Sequence, residues 1–228
     1  MAILDIKGIR KEYFKGEKKV DALRGVDLSI EKGEFLSVVG PSGSGKTTLL
    51  NIIGCLDTPT AGSVVYNGRE LGGMTEKELS EYRKDNIAFI FQSYNLIPVL
   101  TVQENIELPL VIERKLSRVK IAAKAIDVIA AVGLSGMADR RPKELSGGQE
   151  QRVAIARALV KNPIVVLADE PTANLDSHTA EEIIALMETM NRDRQTTFIF
   201  STHDKRMEDH AQRVITLKDG AIASDERK

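Results

Sequence analysis

Cysteine is almost missing from this chain: Cys55 is the only one among 228 residues. A single thiol excludes any intrachain disulfide and fits a reducing compartment. It follows Gly54 at the end of an apolar run, which predicts a buried, inert thiol rather than a nucleophile. No apolar stretch approaches the roughly 20 residues needed to span a bilayer. A secretory apolar region is also missing, because MAILDIKGIR meets charge at Asp5 and Lys7, and the expected location is the cytosol. Neither sign of charge dominates. The net charge is −1, so composition makes no overall case for nucleic acid or an anionic membrane surface. The lysines and arginines of residues 7–19 read as a solvated strand and hairpin face. Repeats and low-complexity segments are absent. What is there, 42% hydrophobic and 29% charged residues, suits a globular protein with a sizeable core. The length fits one large domain, or a core with a smaller insert.

Periodicity supplies the organisation. ILDIKGIRKEY alternates apolar and polar residues and reads as a strand. DALRGVDLSI and GEFLSVVG supply two more, broken by Gly25 and by the turn Glu31-Lys32-Gly33. Residues 46–54 read as a helix entered from a glycine-rich loop, SVVYNGREL as a short hairpin, and NIAFIFQ as a β-prone run ending at Gln92. Residues 101–133 carry helical periodicity, clearest in VKIAAKAIDVIAAVGL. A helix after LSGGQ places Val153, Ala156, Leu159 and Val160 on one face and stops at Asn162-Pro163. IVVLADE and TTFIFSTHD are continuous in apolar residues, as buried parallel strands are, with a helix over residues 179–191 between them. VITLKDGAI closes as a hairpin around Asp219-Gly220. The pattern is an α/β nucleotide-type core interrupted by a mainly helical insert, roughly residues 93–162.

Three stretches carry chemistry. GPSGSGKT, from Gly40 through Pro41, Ser42, Gly43, Ser44, Gly45 and Lys46 to Thr47, fits the P-loop pattern between a strand and a helix. Its glycines let backbone amides wrap phosphates and the helix N-terminus faces them with its positive end. Lys46 would neutralise β- and γ-phosphate oxygens, and Thr47 would place its hydroxyl on Mg²⁺. IVVLADE brings Asp169 to the C-terminal edge of a sheet, where its carboxylate suits a Mg²⁺ hydration shell. Glu170 stands next to it as the base for an attacking water. Farther on, Ser146 and Gln149 of LSGGQEQR have capping-box spacing, and Gly147 and Gly148 leave bare amides at a helix start. That is a second anion-binding turn, but one without a lysine.

GPSGSGKT, IFQ, LSGGQ, VVLADEPTANLD and STHD, in that order, resemble the ATP-binding subunit of an ABC transporter. The resemblance covers essentially the whole chain, and LSGGQ separates this family from other P-loop proteins. GCLDTPTAGSV, FIFQSYNLIPVLTVQENIELPL and the short length are similar to the lipoprotein-releasing and macrolide-exporter ATPase group. The resemblance implies one ABC ATPase domain over residues 1–228. Residues 1–92 and 163–228 would form an α/β P-loop NTPase core with an antiparallel β subdomain, and residues 93–162 an inserted α-helical subdomain carrying the signature.

ATP and Mg²⁺ are the implied ligands, with Thr48 extending the P-loop contacts and Thr47, Gln92 and water-bridged Asp169 near the metal. Tyr13 resembles the aromatic that stacks on adenine, with Phe14 as the alternative. Gln92 is similar to the glutamine that touches metal or water, and could otherwise only cap a strand end. His203 resembles the switch histidine that contacts the γ-phosphate and holds the water of Glu170. His178 and His210 have no such context and read as surface residues. Asn174, Leu175 and Asp176 resemble the loop that crosses to a neighbouring subunit. Glu150 departs from the family, which usually has glutamine there; a small effect is expected, because a helix dipole favours an acid in its first turn.

The resemblance implies two copies packed head to tail, each LSGGQ turn closing on the other chain's ATP. It also implies a separate integral membrane permease and a place on the cytoplasmic face of the inner membrane. NLIPVLTVQENIELPLV is where that permease would dock, unless the stretch is buried core. The expected function is ATP-driven lipoprotein release, macrolide-type efflux or related envelope export. A mechanotransmitting ATPase controlling an envelope process, such as cell-wall hydrolase activation, is the alternative. A soluble ABC ATPase acting on DNA or ribosomes is disfavoured by the single domain, the lack of a long heptad run and the lack of net positive charge. No nucleic-acid partner is expected. A small-molecule kinase would have no use for LSGGQ or the switch histidine.

Overall fold

Alternation of apolar residues builds the first two strands of a computed structural model that describes residues 2–16 and 18–228. β1 (Ala2–Lys15) buries Leu4, Ile6 and Ile9, and β2 (Lys18–Glu31) buries Leu23, Val26, Leu28 and Ile30. They pair antiparallel, with bulges between Ile6 and Arg10. Of the basic residues here, Lys7, Arg10 and Lys19 are exposed and Lys11 is half-buried; Glu17 and the side chains of Lys15 and Lys18 lie outside the described residues.

β3 (Phe35–Val39) leads into α1 (Lys46–Ile53), followed by β4 (Ala61–Tyr66) and the short β5 (Arg69–Glu70). α2 (Glu76–Asn86), which periodicity did not reveal, buries only Leu79 and Tyr82 and is started by a Thr75–Glu78 capping box. β6 (Ile87–Phe91) then stops one residue before Gln92, where the β-prone run ends. α3 (Val102–Glu113) begins at a Thr101–Glu104 capping box, and α4 (Arg118–Ala131) and a 3₁₀ turn (Pro142–Glu144) follow. α5 (Gly147–Leu159), β7 (Val165–Asp169), α6 (Ser177–Arg194) and β8 (Thr197–Ser201) come next. α7 (Lys205–His210), also unforeseen, precedes the hairpin of β9 (Arg213–Lys218) and β10 (Ala221–Arg227).

The strands form two sheets. One is antiparallel in the order β2-β1-β4-β5; the other has six strands in the order β10-β9-β3-β8-β7-β6. Within the second, β9, β3, β8, β7 and β6 are parallel and β10 is an antiparallel edge. Its central strands are covered on both faces, which explains their unbroken apolar runs. Phe198 and Phe200 of β8 join Phe35 and the inner faces of α3, α4, α5 and α6 in one core. Ile199, Leu167 and Val38 face the other way, into a core shared with α1 and the antiparallel sheet. Each such side chain removed from water contributes about 1.5–3 kcal/mol. Cys55 sits in that second core, where burial pushes its thiol up to about 11, in keeping with an inert residue.

His210 is not the free surface residue expected from sequence. Its Nδ1 lies 3.0 Å from Glu188 Oε1 and its Nε2 3.2 Å from Glu181 Oε2, clamping α7 onto α6. Burial pushes the imidazole pKa down, but the hydrogen bonds and charges of Glu188 and Glu181 outweigh it and hold the pKa above its ordinary value. The clamp is therefore fully present below about pH 6.5 and fades as pH rises through the higher folded value. The native chain should lose stability, relative to His210→Gln, over a pH series that rises from about 6 through the raised folded value. Urea midpoints of both proteins across that range check this; parallel pH profiles would contradict it.

Candidate active site

The parallel register aligns the carboxyl ends of four strands. Phe91 is opposite Asp169, Asp169 is opposite Ser201, and Ser201 is opposite Val38. The residues that follow these ends are Gln92, Glu170, Thr202 with His203, and Gly40 just after Val39. In an open α/β sheet this edge is where ligands bind.

The loop after β3 is shaped by close approach. At Gly40 (φ 148°) an added Cβ would lie 2.1 Å from the carbonyl oxygen of Leu217, and at Gly45 (φ 105°) 2.6 Å from that of Ala22. Only glycine fits both the left-handed backbone and the gap. Pro41, Ser42 and Gly43 form the exposed crest. Lys46 Nζ turns back into the loop and donates to the carbonyls of Gly40 at 2.7 Å and Pro41 at 3.1 Å. α1 starts at Gly45 with neither a capping side chain nor an acidic residue in its first turn. Its leading amides have no intrahelical acceptor and are open to an anion. Ser44 is buried, and its Oγ has no hydrogen-bond partner among the described residues.

Thr47 and Asp169 line the same small cleft beside Leu50 and Phe91. Burial raises the Asp169 carboxyl above its ordinary range and the charge of Glu170 adds to this, whereas Lys46 opposes it. A half-buried carboxylate beside a hydroxyl is the donor set of a hard cation. Open amides, an orphaned serine hydroxyl, a lysine held only by carbonyls and this carboxylate together fit a magnesium nucleotide.

Glu170 has a left-handed backbone, φ 48°, costly for a residue with a side chain. Its amide still donates to Ser201 at 2.9 Å, continuing the ladder. Its Oε1 lies 2.6 Å from His203 Nδ1, and its Oε2 accepts from Thr202 Oγ1 at 3.2 Å and the His203 amide at 3.4 Å. His203 is otherwise exposed. Gln92 is exposed too, and its backbone carbonyl accepts from Asn174 Nδ2 at 2.9 Å. Tyr13 is half-exposed beside Thr48 and its hydroxyl donates to Asp57 Oδ2 at 2.7 Å. Phe14 is more exposed and has no such tether.

The second anion-binding turn has the capping box read from its spacing. The Gln149 amide donates to Ser146 Oγ at 3.4 Å, and the Ser146 amide to Gln149 Oε1 at 3.0 Å. Gly148 is buried, with space for a Cβ blocked by Thr179 Cγ2 at 2.4 Å. Glu150 is half-buried without an ion-pair partner among the described residues, and burial raises its carboxyl above the ordinary range. No hydrogen bond or ion pair among the described residues joins residues 146–149 to Lys46, Thr47, Asp169 or Glu170. Leu175 packs near Gly147. Asp176 is occupied in capping α6, accepting from the amides of His178 and Thr179 at 3.0 Å each.

Sequence reading missed the ties that hold these parts together. Arg157, on α5, donates to the carbonyls of Tyr94 at 2.6 Å and Asn95 at 2.5 Å, pinning the segment after Gln92 to the signature helix. Gln151 donates to the Pro171 carbonyl at 2.7 Å. An arginine or glutamine inside a helix carries no spacing signal for such a role. Tyr94 and Asn95 both have left-handed backbones, at φ 57° and 51°, which a local motif does not announce.

A sequence profile described as ABC transporter matches residues 23–173. An uncharacterized ABC transporter ATP-binding protein of Methanocaldococcus jannaschii, MJ0796, is 44% identical, over 99% of this chain and 97% of the relative. The macrolide export ATP-binding/permease protein MacB of Bdellovibrio bacteriovorus is 46% identical over 99% of this chain but 34% of its own length. The chain thus spans about a third of the MacB relatives that it matches. The lipoprotein-releasing system ATP-binding protein LolD of Anaeromyxobacter dehalogenans is 43% identical, over 97% of this chain and 93% of its own. Among solved structures, a dimeric post-hydrolysis state of MJ0796 bound to ADP and Pi superposes with a TM-score of 0.88 at 44% identity, covering 98% of both chains.

Gly40→Ala should displace the loop from Leu217 and weaken ATP binding by at least about tenfold, or ~1.4 kcal/mol, without loss of helix content. Titration with a fluorescent ATP analogue alongside circular dichroism checks it; unchanged affinity would refute the close-approach argument.

Proposed function

The chain belongs to the ABC transporter family and is an ATPase cassette; from that premise we propose that it drives a membrane permease by closing, head to tail, with a second copy around two ATP. The observation that carries this reading is a division within one chain. The P-loop, Asp169, Glu170 and His203 meet at one sheet edge, while among the described residues the LSGGQ turn makes no hydrogen bond or ion pair to them. A turn with open amides and no lysine is explained when a second copy supplies the lysine across a shared nucleotide. The dimeric state of the MJ0796 structures supports this.

In that complex the amides of residues 43–48 and Lys46 hold the β- and γ-phosphates, Lys46 exchanging its two carbonyl partners for phosphate oxygens. Tyr13 offers a π-face to the adenine, which suits any purine. A magnesium ion, held by Thr47 and through water by Asp169 and Gln92, would neutralise charge on the phosphates. Glu170 acts as general base: its carboxylate takes the proton of the attacking water as the oxygen bonds to the γ-phosphorus and the β,γ-bridging bond breaks. Its pairing with His203 fixes the carboxylate's direction, and the imidazole is placed to donate to the developing negative charge. Asn174 holds the Gln92 backbone to the loop that crosses to the neighbouring copy. Residues 93–162 move as a unit with Gln92, because Arg157 fastens the segment after Gln92 to α5.

The partner is an integral membrane permease, and the chain sits peripherally on the cytoplasmic face of the inner membrane through it. Among the described residues no helix is long and apolar enough to cross a membrane. The stretch NLIPVLTVQENIELPLV divides: Val102, Ile106 and Leu110 are core, whereas Val99 and Val111 are exposed. Exposed Phe91, next to Gln92 in the chain, and exposed Val99, in the segment that follows it, support docking there. The similarity to MacB and LolD supports lipoprotein release, macrolide-type efflux or related envelope export.

Glu170→Gln should bind ATP, hydrolyse it at least about 100-fold more slowly and accumulate as a dimer in ATP and Mg²⁺. Light scattering on a sizing column checks the mass; a mutant that stays monomeric sinks the closure.

A further inference from the structure

Helix α4 is apolar on two opposite sides. Ile121, Ala125, Val128 and Ile129 face the core, as periodicity requires. Val119, Ala123, Ile126 and Ala130 recur at the same helical spacing on the solvent side. Val119 is 80% exposed and Ile126 55%. A surface helix ordinarily carries polar residues there, and among the described residues this stripe lacks a partner.

Its surroundings indicate the partner. Residues 114–130 contain five cations, Arg114, Lys115, Arg118, Lys120 and Lys124, and one carboxylate, Asp127. Lys115 is paired with Asp85. Arg114, Arg118, Lys120 and Lys124 have no ion-pair or hydrogen-bond partner among the described residues. Lys120 and Lys124 flank the stripe on one side and Arg118 on the other, where Arg118 and Val111 of α3 share a shallow groove. The overall charge of −1 conceals this local excess.

We propose that the outward face of α4 is an anionic-lipid contact, seating Val119 and Ile126 at the headgroup boundary while Arg114, Arg118, Lys120 and Lys124 engage lipid phosphates. An apolar stripe between unpaired cations is the pattern of a helix lying on an acidic membrane surface. Each cation near such a surface strengthens partitioning by about fivefold. The contact is independent of the permease reading: it gives the ATPase chain a membrane affinity of its own.

Flotation of the purified chain with phosphatidylglycerol-rich vesicles, and with pure phosphatidylcholine vesicles, tests it. Binding is expected to the first only, and to fade between about 0.05 and 0.5 M salt as screening shortens. K120E/K124E should lower the partition coefficient at least about 25-fold. V119S/I126S should lower it several-fold at unchanged charge. Val119, Lys120 and Ile126 are exposed and Lys124 is half-buried with no hydrogen-bond partner among the described residues, so both variants should keep native ATP binding and ATPase rate. Three outcomes overturn the proposal: no binding to acidic vesicles, equal binding by both variants, or binding to a soluble acidic polypeptide but not to vesicles.

Discussion

The parallel register of β3, β8, β7 and β6 is the constraint on which the rest of the site depends. Once Val38, Ser201, Asp169 and Phe91 lie in one row, the next residues of each strand are committed to a common edge. Gly40, His203, Glu170 and Gln92 come from positions as far apart as 40 and 203, yet they need no individual steering. A shift of one residue in any strand would turn its side chains to the opposite face. Both faces are buried, so the register is held by two cores at once: Phe198 and Phe200 by one, Ile199 by the other. The left-handed turn at Glu170 is the local strain that this rigid edge sustains, and it brings the carboxylate to His203.

Local chemistry was the part legible in the sequence. The P-loop, the capping box at Ser146 and Gln149, the apolar strands ending at Asp169 and Ser201, and the helices over residues 101–133 are all written in short windows. What escaped depends on distant partners. α2 has only two buried residues and so too weak a period, although its Thr75–Glu78 box was a readable start. α7 is six residues long and held by Asp204 and by the His210 clamp. Arg157 and Gln151 look like ordinary helix residues until the fold brings Tyr94, Asn95 and Pro171 beneath them. Tyr13, with Phe14 as the alternative, is read from resemblance to the adenine-stacking aromatic; the tether of its hydroxyl to Asp57 depends on a distant partner and is not written in the local sequence.

A net charge near zero makes no overall case for an acidic surface, and it conceals the cations of α4, which among the described residues stand unpaired around an apolar stripe. Periodicity identified α4 as a helix because one stripe suffices for that. The second stripe lies on the face opposite the core and only becomes visible when burial is known. The two helices then differ in what they touch: α5 is tied to the segment after Gln92 through Arg157 and to Pro171 through Gln151, while α4 leaves Val119 and Ile126 exposed.

Head-to-tail closure requires that the LSGGQ turn serve the other chain's nucleotide. Mixing two inactive variants decides it: Lys46→Ala, which lacks the P-loop lysine, and a chain with Ser146 replaced by arginine. If the turn acts across the dimer, every mixed dimer contains one intact composite site, and ATPase activity should appear on mixing well above that of either variant alone. If the mixture remains as inactive as its components, although each variant still pairs with wild-type chains, the turn serves its own chain and head-to-tail closure is wrong.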